Sequence, residues 1–136
     1  MRVTGRQVAD FVAERHGLTF QVLISQQRII SIARPRQIAM YVMREVCPHL
    51  SLPAIGRLLG GRDHTTILHG INRIEALIHT QEGVLAEVWA ALSHFDNEAL
   101  SVDILLEARI DAATKHLNVL LNERRLAEAR AMKVAA

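Results

Sequence analysis

Very little in this 136-residue chain points to covalent, redox or membrane chemistry. Its one cysteine, Cys47, excludes an internal disulfide and suits a reducing, cytoplasmic setting. No apolar run approaches the ~20 residues that span a bilayer. The start, Met1-Arg2-Val3-Thr4-Gly5-Arg6, has no signal-peptide core, so no membrane partner is expected. A G-x-x-x-x-G-K-[ST] loop is missing, so neither a nucleotide nor any other cofactor is expected. There are three prolines, no internal repeat and only 4% aromatic residues. Half the residues are nonetheless hydrophobic, and a core of Leu, Ile, Val and Ala at helical spacing predicts an all-α fold. The length allows one compact domain and an appendage.

Charge is weak overall, +2, but unevenly placed. Residues 1–80 carry ten Lys+Arg against five Asp+Glu, and residues 81–136 carry six against nine. A basic front suits nucleic acid, and an acidic back suits solvent or a protein partner.

The densest signal is Gly60-Gly61-Arg62-Asp63-His64-Thr65-Thr66. Two glycines end an apolar pattern, because glycine enters left-handed conformations without strain. Asp63 then caps a new helix by accepting a backbone N–H. His64, Thr65 and Thr66 fall in its first turn, where a helix-turn-helix meets base edges. The residue types suit base reading, since Asp accepts from the cytosine amino group and Thr serves a polar edge or the thymine methyl. Upstream, Ser51 caps a short helix with Pro53 in its first turn and an apolar face of Leu52, Ile55, Leu58 and Leu59. Downstream, Ile67, Leu68, Ile71, Ile74, Leu77 and Ile78 recur at helical spacing while Arg73 faces away. Short helix, glycine turn and longer helix make the helix-turn-helix arrangement, against the plainer reading of a helical hairpin.

Further upstream, Ala33-Arg34-Pro35 opens a helix with an apolar face of Ile38, Tyr41, Val42 and Val46. Arg34, Arg36 and Gln37 then stand at its positive dipole end, which suits phosphate. Val8, Phe11, Val12 and Arg15 lie along a first helix ending near His16-Gly17, and a short second one runs from Leu18-Thr19 through Leu23-Ile24. In the tail, Val84, Leu85, Val88, Trp89 and Leu92 form an apolar stripe with Trp89 as a packing anchor. After His94-Phe95-Asp96-Asn97 a long helix follows. Its seam is Leu106, Ile110, Ala113, Leu117, Leu120, Arg124, Ala127 and Ala131, broadened by Leu105, Leu121 and Leu126. That helix either packs back on its own domain, the safer expectation, or pairs with a second chain as a homodimer.

The run Arg34-Pro35-Arg36-Gln37-Ile38-Ala39-Met40, then Ser51 to Gly56, then Gly60 to Thr66 with Leu68-His69, closely resembles the C-terminal DNA-binding domain of the bacterial DnaA replication initiator. The resemblance spans about Val8 to Ile78. It implies an all-helical, TrpR-like bundle with an inserted basic loop, binding double-stranded DNA at the element called the DnaA box, of the type TTATCCACA. It implies that Asp63, His64 and Thr65 read bases in the major groove with Thr66 beside them, and that Arg28 enters the minor groove. Arg36, Gln37, Leu52, Pro53, His69 and Arg73 match positions that touch or flank phosphates, and Arg34 joins them by its place at the helix start. The organisation expected is a helix-turn-helix domain over 1–80 and a helical extension over 81–136 that is a candidate dimerisation element. The function expected is that of a regulator of replication initiation or transcription.

Two departures stand out. The family's loop is usually a dense Lys/Arg run, and here it reads Ser25-Gln26-Gln27-Arg28-Ile29-Ile30-Ser31, which should flatten the salt dependence of binding. The segment Val46 to Leu50 is also about one residue longer than usual. An enzyme is not expected, because Asp63, His64 and Thr65 are consecutive and should diverge around a helix. His64 and His69 are five apart, off a shared helix face, so no metal is expected either. The rival class is a protein-interaction module that has lost DNA binding and works through its acidic tail.

Overall fold

The computed structural model describes residues 2–95 and 98–135, with side chains over 2–95 and 106–134, so Leu105 of the expected seam and the Asp96-Asn97 link fall outside them. The described residues form seven helices and no strand, as the apolar periodicity predicts. None of these helices is long and apolar enough to cross a membrane. Helix α1 (Gly5–Arg15) opens on a capping box, with the Thr4 hydroxyl accepting from Gln7 N and the Gln7 side chain accepting from Thr4 N. It stops at Gly17, whose φ of 67° is left-handed. Thr19 caps the single turn of α2 (Phe20–Leu23).

Helix α3 (Ile30–Val46) is the central strut, packed by α1, α2, α4, α5 and α6. It starts earlier than expected from Ala33-Arg34-Pro35, and Pro35 lies inside it. A proline there removes one N–H, while Ile32 and Ala33 already donate to the Ile29 carbonyl and buried Ile32 holds the first turn down. Arg34, Arg36 and Gln37 therefore sit past the first turn, beyond the reach of the helix dipole argument. Helix α4 (Leu52–Leu58) is capped by Ser51, which accepts from Ala54 N as expected. Helices α5 (His64–Ile78), α6 (Glu82–His94) and α7 (Glu98–Ala135) complete the chain.

One core unites Val8, Val12, Ile38, Val42, Met43, Ile55, Ile67, Ile71 and Ile74 with Val84, Val88 and Leu92 of α6. The division expected at residue 80 thus runs through packed structure; what leaves the globule is α7 beyond Ala112. Trp89 is also not the anchor expected, being 53% exposed on the outer side of α6. Its neighbours Val84, Val88, Ala91 and Leu92 fill the inner side, which leaves no room there for an indole.

Arg15 of α1 reaches across to α6, donating two hydrogen bonds to Glu87 at 2.8 and 3.2 Å. These bonds, with help from His16, hold the Glu87 carboxyl below its ordinary range. A depressed acid contributes stability above the usual carboxylate range and loses it as pH falls through its folded-state pKa. Glu87→Gln should therefore cost about 0.5 kcal/mol at pH 7, and that cost should shrink as the pH falls below the ordinary carboxylate range, measured by urea denaturation; the figure is small because the pair is partly exposed.

Candidate nucleic-acid interface

The turn between α4 and α5 is built on a close backbone approach. The Gly56 carbonyl accepts from both Gly61 N and Arg62 N, at 3.0 and 2.9 Å. A Cβ at Gly56 would run into the Arg62 carbonyl oxygen, so only glycine fits there. Gly60 and Gly61 follow with φ of 85° and 76°, the left-handed pair that turns the chain into α5.

Asp63 occupies the N-cap of α5, but its side chain makes no cap bond. Its carboxylate accepts from the Thr65 hydroxyl and lies 3.1 Å from His64 Nδ1. These contacts, the Thr65 bond foremost, hold the Asp63 carboxyl below its ordinary range. The expected divergence of these three residues therefore fails. Asp63 still has extended backbone, φ −67° and ψ 149°, and folds its carboxylate over the first turn. Among the described residues no cluster of His, Cys, Asp or Glu could hold a metal ion.

Asp63, His64, Thr65 and Thr66 are all exposed at this helix start. Thr65, His69 and Arg73 continue at four-residue spacing as an exposed polar stripe, opposite buried Ile67, Ile71 and Ile74. Below it, α5 lies close on α3, since a Cβ at Gly70 would meet the Met40 sulfur and Gln37. Arg34 faces Arg73 across this contact. Burial, and then that neighbouring charge, lower the Arg34 pKa. Arg34 Nη1 and Gln37 Oε1 are buried without a hydrogen-bond partner among the described residues. Leu52, half-buried, and Pro53, exposed, lie in the first turn of α4.

Arg36 is placed quite differently from its expected phosphate position. It is 5% exposed, and its guanidinium donates to the carbonyls of Leu23 at 2.7 Å, Ser25 at 2.8 Å and Gln27 at 3.0 Å. Burial, and then Arg62 beside it, bring its pKa down to about 10, so it stays charged at neutral pH. Its Nε and Nη2 are thus committed to backbone oxygens. Arg62 does the same from the other side, donating to Ile24 O at 3.1 Å, Ser25 O at 2.5 Å and Leu59 O. Two arginines thus grip one stretch of chain, Leu23 to Gln27, and join it to the turn that starts α5.

Arg28 follows that gripped stretch and is exposed. Beside it Ile29 and Ile30 are 58% and 64% exposed, an apolar pair where the loop enters α3. Reading the sequence missed both Arg62 and this pair. The only available signal for Arg62 was its position, a long donor inside a tight turn where carbonyls crowd.

The exposed candidates are thus Arg28 just after the gripped stretch, Asp63 to Thr66 at the start of α5, and the His69-Arg73 stripe, with half-buried Arg34 beside Arg73. Every Lys or Arg among them is arginine, and residues 1–80 contain no lysine at all. Comparison with known proteins matches residues 6–74 to the family described as bacterial dnaA protein helix-turn-helix. The chain is 47% identical over 79 residues to the chromosomal replication initiator protein DnaA of Cereibacter sphaeroides, covering 58% of this chain and 17% of that protein. The DnaA proteins of Roseobacter denitrificans and Brucella abortus are 42% and 43% identical over 86 and 77 residues, 63% and 57% of this chain. The chain spans under a fifth of the length of these relatives, 18% and 15% in the last two cases. With a two-glycine turn, a polar reader start and the central α3 strut all in the matched segment, the chain belongs to the bacterial DnaA helix-turn-helix family of DNA-binding domains.

Proposed function

We propose that this chain is a sequence-specific double-stranded DNA-binding protein that occupies DnaA-box-like sites and regulates replication initiation or transcription there, without nucleotide or catalysis. The observation that carries this reading is the exposed cluster Asp63, His64, Thr65 and Thr66 at the start of α5. A helix start is the part of a reader that enters the major groove, and these side chains have donors and acceptors for base edges. Arg28 at the loop tip is the minor-groove arginine of this reading. Arg34, Gln37, His69 and Arg73, with Leu52 and Pro53 at the α4 start, flank the backbone. The buried, unpaired Arg34 Nη1 and the crowding of Arg34 by Arg73 support an anion there, since a phosphate relieves both. Helix α7 serves in this reading as the element through which two copies pair.

Fluorescence anisotropy with a DnaA-box duplex and a scrambled duplex, at two salt concentrations, tests the proposal. The box should be preferred, and the preference should persist at higher salt. Asp63→Ala or His64→Ala should each remove roughly tenfold to a hundredfold of that preference, the scale of one good base contact. Arg73→Ala should weaken both duplexes alike and lower the salt slope by about one. Absence of binding to either duplex would instead favour a protein-interaction module.

A further inference from the structure

Helix α7 carries an apolar stripe that its own domain leaves uncovered. Its contact with α6 uses Ala108, fully buried, and half-buried Asp111 and Ala112, with Asp111 3.6 Å from His79. The stripe of Leu106, Ile110, Ala113, Leu117 and Leu120 runs beside that contact, with Leu106 and Ala113 at the edge of the groove toward α6. Leu106 and Leu117 are each 55% exposed, Ile110 58% and Leu120 47%. From Ala113 to Val134 every residue of the helix is exposed. Leucines at alternating spacings of three and four, in water, mark a helix that pairs with another.

The charges beside the stripe select the partner and its direction. Arg109, His116, Glu123 and Arg130 flank it on one side, and Glu107, Thr114, Leu121 and Glu128 on the other. Arg124, which also holds Glu128 of its own helix at 3.1 Å, interrupts the stripe itself. Two copies side by side in parallel would set Arg124 against Arg124 and bring Glu123 of one beside Glu128 of the other. Both contacts repel. Running the second copy antiparallel, centred near Lys115, reverses this. Arg109 then meets the second copy's Glu123, twice by symmetry, and Arg124 lies beside the second copy's Leu106 and Glu107. Ile110 stacks on Leu120, and small Ala113 faces large Leu117. His116 lies across from its own counterpart.

We propose that α7 pairs with α7 of a second copy as an antiparallel coiled coil in this register. The inference rests on the pairing role given to α7 above and adds its direction and contacts. It also accounts for two features off the stripe. The groove between α6 and α7 is lined by Leu85, Trp89, Arg109 and Ala113, and Trp89 is exposed in it. An antiparallel second helix turns its own Val119, 55% exposed and otherwise unexplained, toward that groove. Each copy's tail then covers the other's α6–α7 groove, an interface of identical surfaces.

Sedimentation velocity on the full chain, without DNA, tests the orientation. The wild type should be a dimer and Leu117→Asp a monomer. Arg109→Glu and Glu123→Arg should each raise the dimer dissociation constant by roughly tenfold or more, because each places like charges together twice. The double reversal should restore dimerisation to near the wild-type constant. Arg109 and Glu123 lie two heptads apart along the helix, so a parallel pair gives no such rescue. Both are exposed, so these changes leave the fold intact. A dimer without rescue overturns the antiparallel register and leaves pairing through α7 standing. A monomeric wild type overturns both.

Discussion

Replacing Arg36 by alanine should destabilise the fold by about 3 kcal/mol, the scale of removing several hydrogen bonds from one buried charge. The guanidinium satisfies three carbonyls, and its loss leaves those of Leu23, Ser25 and Gln27 short of a donor where water enters poorly. The stretch it grips leads directly into Arg28, so the loop tip loses its fixed position as well. Box affinity should then fall more than affinity for scrambled duplex, because a displaced Arg28 affects the specific complex first. Arg36→Lys separates the two effects. A single ammonium cannot fork across Leu23 and Gln27, so the loop should loosen with a smaller stability loss. Hydrogen exchange at residues 24–28 reads the loosening, and chemical denaturation reads the stability. If Arg36→Ala instead kept wild-type stability and only lowered the salt slope by about one, the residue would be a phosphate contact after all.

The second large effect belongs to Gly56. Gly56→Ala should destabilise the domain by about 3 kcal/mol, at the upper end for overpacking, because the added methyl meets backbone and not a flexible side chain. The Arg62 carbonyl it strikes belongs to the turn whose N–H groups bond the Gly56 oxygen, so relief requires opening the turn. Gly61→Ala is the control. Its φ of 76° penalises a side chain, but no atom lies within 4 Å, so the loss should be about 1 kcal/mol. Thermal and urea unfolding of both variants measures the difference. Equal losses would show that backbone conformation, and not the contact at Gly56, governs the turn.

These two residues also show where reading the chain succeeds and where it stops. Gly60-Gly61 between two apolar periodicities located the turn, because left-handed backbone has a strong local preference for glycine. Ser51 as a cap and the faces of α4 and α5, apart from Leu68, which is 42% exposed, were legible for the same reason: caps and periodicity are properties of a few consecutive residues. The start of α3 was misplaced, since proline's local rule yielded to burial of Ile32 by distant helices. The convergence of Asp63 on His64 and Thr65 was misjudged, since the N-cap lies outside the helical geometry assumed for it.

Arg36 and Arg62 look alike in sequence to Arg34 and Arg73. Only contacts between residues 9 to 38 positions apart turn the first two inward to carbonyls, while the second pair stays nearer the surface. The sequence by itself determined the helical class, the turn and the polar start of α5, because these depend on local backbone preference and apolar spacing. The tertiary structure alone decided which arginines hold the loop and which do not. It also decided that α6 and Ala108 of α7 join the core while α7 from Ala113 onward leaves it. Burial, and with it the role of a charge, is set by neighbours that the linear order does not reveal.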